Sequence, residues 1–220
     1  MLRPAIVQIR NSNATMLTAF ATAVDADVVS VSHAADDRTA LRRALNGAIA
    51  IADLTVTTGG ASVGERDLIK AELVDMGFTL LFDGVAMRPG RPVSFAVRGT
   101  QRVAVLPGNP AAAYVTFAEL VFPALRRLGG AASERLPNAT AVLTAPVRAR
   151  RDKPSFIFAR VSATEFGFVA RPLADQCASL TRTAADANAL LRLDAAERTF
   201  TPGERVAVDV LDQSVWLPDS

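Results

Sequence analysis

Two short stretches of this chain place bare backbone where a strand gives way to a helix. In the first, the β-branched run Thr55-Val56-Thr57-Thr58 stops at Gly59-Gly60, and Ala61-Ser62-Val63-Gly64 leads towards a helical pattern that starts near Asp67. Glycines at a strand end let backbone N–H groups approach a ligand, and the helix start beyond adds partial positive charge, so the loop reads as the floor of a phosphate or carboxylate site. The competing reading is a tight turn that binds nothing. Leu106-Pro107-Gly108-Asn109-Pro110 repeats the arrangement, with Asn109 placed to cap and Pro110 suited to the first helical position. Two such turns at the carboxyl ends of parallel strands put their ligand in the crevice where open α/β sheets bind. Between them, Val85-Ala86-Met87-Arg88-Pro89-Gly90-Arg91-Pro92 holds Arg88 and Arg91 three residues apart on a loop stiffened by proline. Alone, that loop is as well read as a solvated turn. His33 and Cys177 are the single histidine and cysteine, and both read as structural.

The elements that must position these loops follow from periodicity. Residues 5–9 suit an edge strand, and Asn11-Ser12-Asn13 offers caps to a helix carrying Met16, Leu17, Phe20 and Val24 at helical spacing. Residues 27–32 read as a buried strand, and Asp36-Asp37 cap a second helix with Leu41, Leu45, Ile49 and Ala52 on one face. The next strand, 54–58, feeds the first glycine loop, and a helix over 67–76 then ends at Gly77. Strands are expected at 79–82, 93–97 and 102–106, and a helix over 110–128 with Pro123 inside it as a kink. Strand, helix, strand repeats imply parallel crossovers, hence an α/β fold of three layers with a mostly parallel sheet. Gly129-Gly130 opens a linker, and past it the pattern shifts to short β runs at 141–147, 155–161, 167–173, 190–193 and 205–211, with a polar helical segment near 179–188. That pattern suits a small β-barrel or sandwich. The expected division is residues 1–130 as an α/β domain and 138–220 as a β-domain.

Half of the 220 residues are hydrophobic and the net charge is only +2, which argues against disorder and gives little support to a nucleic-acid partner. The bases are scattered apart from short clusters such as Arg148, Arg150, Arg151 and Lys153, a local need for cations. No apolar run reaches the roughly 18 residues of a membrane span, no signal peptide follows Met1, and one cysteine makes no disulfide framework, so a cytoplasmic, membrane-free location is expected.

Four motifs in order carry a resemblance: Ile9-Arg10-Asn11-Ser12-Asn13, the Thr57-to-Gly64 loop with Asp67, the Val85-to-Pro92 loop, and Leu106-Pro107-Gly108-Asn109-Pro110. Together with Asp186-Ala187-Asn188-Ala189-Leu190-Leu191 and Pro202-Gly203-Glu204-Arg205-Val206, they resemble the carboxyl-terminal portion of the molybdopterin molybdenumtransferases of molybdenum-cofactor synthesis. The resemblance implies insertion of molybdate into adenylated molybdopterin, with Mg²⁺ as the metal. It implies that Thr58, Gly59, Gly60, Ser62, Gly64, Pro107, Gly108 and Asn109 hold the pterin or its phosphate. Asp67 would sit by the metal or adenylate, and Arg88 and Arg91 would take the places of family lysines that face molybdate and phosphate. Arginine keeps the charge but adds a fork that grips two oxygens.

The departures are also informative. The family's two further amino-terminal domains, its first sheet strand and the acidic Ser-Thr-Gly-Asp-Glu-Leu loop have no counterpart in this sequence, which leaves a partner protein that supplies them, or a homodimer, as expectations. Gly84, Ala112 and Ala178 stand where the family usually has a lysine and two serines. A non-catalytic pterin-binding module and a truncated fragment of a full-length transferase are therefore the alternatives to an enzyme.

Overall fold

The computed structural model describes residues 11–35, 37–59, 68–176 and 181–212. The expected edge strand at 5–9, the sites Gly60, Ser62, Gly64 and Asp67, and Cys177 and Ala178 lie outside them.

Helix α1 (Ser12–Ala23) starts where the sequence offers a cap: the Asn11 side chain accepts the Ala14 N–H at 3.1 Å. That bond meets one of the donors every helix start leaves unpaired. Asp37 does the same for α2 (Arg38–Ile51), accepting the Ala40 N–H at 2.8 Å, and Leu41, Leu45 and Ile49 form its buried face. Then come β1 (Thr55–Thr58), α3 (Leu68–Asp75), β2 (Thr79–Asp83), β3 (Ser94–Arg98) and β4 (Gln101–Leu106), with the four strands ordered β1-β4-β3-β2 in one sheet. The sheet is mixed: β1 and β4 run parallel, while β4 with β3 and β3 with β2 are antiparallel. Gly77 ends α3 with φ +84 as its N–H reaches Val74 O at 2.9 Å, the left-handed step a helix exit favours in glycine.

Strand β4 shows why the unit has three layers. Its side chains alternate between faces, so Val103 and Val105 enter a core with Leu41, Leu45, Ile49 and Leu73, whereas Ala104 and Leu106 enter another with Leu17, Phe20 and Val115. Residues 27–32, expected as a buried strand, form no ladder among the described residues, and Val29 and Val31 are 53% and 60% exposed. β propensity reflects fit to a half-covered pleated surface, and the described strands leave that segment none.

The expected 110–128 helix is broken into α4 (Pro110–Thr116), a π-helical turn (Phe117–Val121) and α5 (Phe122–Leu128). Pro123 lies in the first turn of α5, where its missing N–H costs nothing, so the ladder widens just before it. Beyond the helices come β5 (Asn138–Leu143), β6 (Val147–Arg148), β7 (Ser155–Thr164), β8 (Gly167–Pro172), α6 (Thr181–Asp186), β9 (Ala189–Leu193), β10 (Thr199–Phe200) and β11 (Arg205–Val210). Five of these strands close into a barrel in the order β11-β5-β8-β7-β9, filled by small and branched residues such as Ala141, Ala159, Ala170, Leu191 and Val208. The barrel is seated on the sheet unit through shared core: Phe158 and Leu190 join the cluster of Leu17, Phe20 and Phe117, and Phe158 meets Tyr114 with ring centroids 5.8 Å apart. No helix among the described residues is long and apolar enough to cross a membrane.

Candidate functional site

Because Thr58 on β1 is paired with Leu106 on β4, the chain leaves the sheet side by side at Gly59 and at Pro107-Gly108. Gly59 has φ +88, a conformation L side chains rarely take. Gly108 is required for another reason: a Cβ there would stand 3.1 Å from Gly59 Cα. The two glycine turns are therefore in backbone contact. Asn13 of α1 buttresses them, donating from Nδ2 to Gly108 O at 2.9 Å. Asn13 is buried, and its Oδ1 has no hydrogen-bond partner among the described residues. A buried acceptor left unpaired is uncommon and invites a donor. Asn109 caps α4 as expected, accepting the Ala112 N–H at 3.3 Å. Ala112 is itself buried.

The arginine loop is tied down at both ends. Gly84, with φ +90, donates to Val93 O at 2.8 Å, and the Val85 N–H reaches Arg91 O at 3.0 Å. Gly90 lies against α4, where a Cβ would overlap Thr116 Cγ2. At Arg88 the backbone crosses to the barrel: its N–H donates to Pro154 O at 3.0 Å and its carbonyl accepts the Phe156 N–H at 2.8 Å. The Arg88–Pro89 peptide is cis.

That crossing walls one side of a cleft of about 750 Å³ between the sheet unit and the barrel. Arg88, Pro89 and Ala111 line it from the sheet unit, and Arg148, Arg150 and Arg171 line it from the barrel. Phe156, Phe158, Pro146 and Leu173 add apolar wall, and among the described residues no carboxylate contributes to the lining. Gln176 pins the rim by bridging Phe158 N–H and carbonyl at 3.0 and 2.9 Å and donating to Leu173 O at 2.7 Å. Asp152 feels the charge of Arg88. Its carboxyl is held below the usual range chiefly by the Lys153 ammonium at 3.0 Å, with only a minor pull from Arg88. Four arginines in a cleft whose described lining holds no acid can grip a multiply charged oxyanion.

The structure thus brings Thr58, Gly59, Pro107, Gly108 and Asn109 together at one sheet edge, and Ala111, two residues past Asn109, carries α4 into the cleft of Arg88. Arg91 is exposed and does not line the cleft. His33 is exposed and also lies apart from the lining. The sequence reading missed Asn13 as a buttress and the three barrel arginines as lining. The cluster at Arg148 and Arg150 was a visible signal, but nothing in the sequence aims it at Arg88.

Residues 6–127 match the family model described as the probable molybdopterin binding domain, and 140–211 match the MoeA C-terminal region (domain IV). The chain is 32% identical over 201 residues to the molybdopterin molybdenumtransferase of Bacillus subtilis (strain 168), covering 91% of this chain and 47% of that one. It is 38% identical over 128 residues to the molybdopterin molybdenumtransferase of a Nostoc species, covering 57% of this chain and 29% of the other. Its fold matches the molybdopterin biosynthesis moea protein from Pyrococcus horikosii with a TM-score of 0.80 at 23% identity, over 96% of this chain and 50% of that chain. The chain therefore spans about half or less of the length of these relatives. With both parts of the sequence matched in order, it belongs to the molybdopterin molybdenumtransferase family, to whose carboxyl-terminal portion it corresponds.

Proposed function

We propose that the chain works in molybdenum-cofactor biosynthesis as a transferase, inserting molybdate into adenylated molybdopterin. The observation that carries this reading is the cleft of four arginines, with no carboxylate among its described lining residues, that opens beside two touching glycine turns. In the proposal, Thr58, Gly59, Pro107, Gly108 and Asn109 hold the pterin or its phosphate, and the unpaired Asn13 Oδ1 accepts an N–H from it. Gly60, Ser62 and Gly64 are proposed to continue that loop, and Asp67 to meet the adenylate. Arg88, Arg148, Arg150 and Arg171 receive the molybdate dianion as substrate. The work asked of the protein is to fix two anionic reactants side by side and offset their repulsion, which needs position and charge rather than a nucleophile.

Mg²⁺ is proposed at Asp67, which lies outside the described residues; among the described residues no carboxylate lines the cleft and no cluster of three acids, histidines or cysteines occurs. A cytoplasmic setting, a homodimer and a protein carrying the rest of a full-length relative belong to the same proposal as partners and place.

The test is molybdate-dependent conversion of adenylated molybdopterin, with the remainder of a full-length relative supplied in trans. Arg88→Ala should raise the molybdate requirement about tenfold or more, because it removes a charge-assisted contact. Arg91→Ala, outside the cleft lining, should change it far less. A wild-type chain that binds pterin but never shows a molybdate-dependent step is a binding module, and the transferase reading fails.

A further inference from the structure

On the barrel, β7 and β8 pair antiparallel with Arg160 directly opposite Arg171. Opposed residues of a ladder put their side chains on one face, close enough for like charges to repel. Neither guanidinium makes an ion pair with a described carboxylate, although elsewhere on the barrel Arg192 and Arg198 do, with Asp209 and Glu204. Two residues along β7 on the same face stands Ser162, and Thr144 follows the end of β5, its hydroxyl donating to Ala170 O at 3.3 Å. These four residues line an open cavity of about 410 Å³. Arg171 and the segment after it also line the larger cleft, so the two cavities share a wall.

We propose that this groove is a phosphoryl-binding site, in which Arg160 and Arg171 grip a phosphate dianion from opposite strands and the Ser162 hydroxyl donates to one of its remaining oxygens, while Thr144, whose hydroxyl is spent on Ala170 O, walls the groove. A dianion turns the repulsion between the two arginines into two charge-assisted contacts, which a carboxylate with one charge does only in part. The shared wall places the phosphate next to whatever occupies the cleft. The dianion is therefore either free phosphate or the phosphate end of an organic ligand whose body reaches past Leu173.

Arg160 lines this groove and not the cleft, which makes it the discriminating residue. The experiment is calorimetric titration of the full chain with inorganic phosphate and, separately, with adenosine monophosphate. Saturable phosphate binding is expected, weakened about tenfold or more in Arg160→Ala and partly restored in Arg160→Lys, which keeps the charge without the fork. Adenosine monophosphate that binds more tightly than phosphate, with the margin lost in Arg148→Ala, identifies the ester as the ligand. Equal affinities identify free phosphate, and either result supports the site. Absence of binding to wild type, or unchanged phosphate affinity in an Arg160→Ala chain of wild-type melting temperature, overturns it. Molybdate titrated into the same proteins keeps the readings apart: a wild type that binds phosphate through Arg160 but binds no molybdate strikes only the cleft assignment, whereas molybdate binding lost in Arg148→Ala with phosphate affinity unchanged in Arg160→Ala strikes only the groove.

Discussion

Arg38 and Arg42 on α2 both donate to the Glu72 carboxylate on α3, from Arg38 Nε at 2.7 Å, and Arg38 also reaches Asp75. Around the cleft, Arg88, Arg148, Arg150 and Arg171 meet no carboxylate among the described lining residues. The Glu72 side chain is 1% exposed. Burial alone would push its carboxyl up, but the two guanidiniums hold it below the usual range. On that flank, arginine fastens one helix to another, and the charge is consumed within the fold. In the cleft the same side chain is held on separate strands and loops with its donors unmatched, which concentrates positive potential where a small anion can enter. Residue type is identical in the two regions, so it is the supply of acids that separates a fastener from a site.

The sharpest way to break this comparison is to reverse the free charges. Arg148→Glu with Arg150→Glu should weaken molybdate binding by about a hundredfold or more, since two charge-assisted contacts are lost and repulsion is gained. The melting temperature should move little, because both side chains are exposed. Equal loss of stability and binding would show that these arginines hold the barrel together, and the contrast with α2 would collapse.

The converse experiment removes the fasteners. Arg38→Ala with Arg42→Ala leaves Glu72 buried without a cation, a situation that strongly destabilises folded proteins. The melting temperature should fall more than in any cleft variant, while molybdate affinity stays at the wild-type value. The pH dependence has a definite sign. In wild type the folded pKa of Glu72 lies below its ordinary 4.5, so its contribution is present above that pH and is lost as pH falls through the lower folded value. In the double variant burial acts alone, the folded pKa rises, and the deficit against wild type should shrink on acidification. Melts from neutral to acid pH that keep a constant gap would sink this account.

Which of these features the sequence discloses follows from the range over which each is determined. The caps at Asn11, Asp37 and Asn109, the exit at Gly77 and the break at Pro123 are local, set by one side chain and its own helix, and all are legible. The alternation of Val103, Ala104, Val105 and Leu106 is equally readable, because period two assigns each residue a face. The contact of Gly59 with Gly108 is half legible: each glycine is conspicuous, but their approach depends on β1 and β4 being neighbours across almost fifty residues. Arg148, Arg150 and Arg171 look like surface bases until the fold brings β8 of the barrel and the separate β6–β10 ribbon to the same cleft as Arg88. Residues 27–32 mislead for the opposite reason, since a β-branched run says nothing about whether a neighbouring strand is there to receive it.

A third region completes the comparison, with acids that lack what Glu72 has. Glu119 on the π-helical turn and Asp209 on β11 face each other electrostatically at the junction of helices and barrel, and Glu119 Oε1 and Asp209 Oδ2 are buried without a hydrogen-bond partner among the described residues. Burial, then Asp209, pushes the Glu119 carboxyl up to about 7 against a weaker pull from Arg192 and Arg135. Asp209 is raised too, chiefly by burial, although Arg192 Nη1 stands 3.5 Å from its Oδ1. For a carboxyl with a raised folded pKa the linkage runs opposite to that of Glu72: the folded state keeps a proton that the unfolded chain gives up. Stability from this group is complete below about pH 4.5 and falls as pH rises towards 7. Glu119→Gln, which keeps the shape and removes the charge, should flatten that slope. At pH 8 it should raise the melting temperature by about 2 to 4 °C for each kcal/mol of penalty removed. Because Glu119 does not line the cleft, molybdate affinity in this variant should match wild type. A slope that survives in Glu119→Gln and disappears in Asp209→Asn would move the shared proton to β11, and one that survives in both would remove the junction from the pH response altogether.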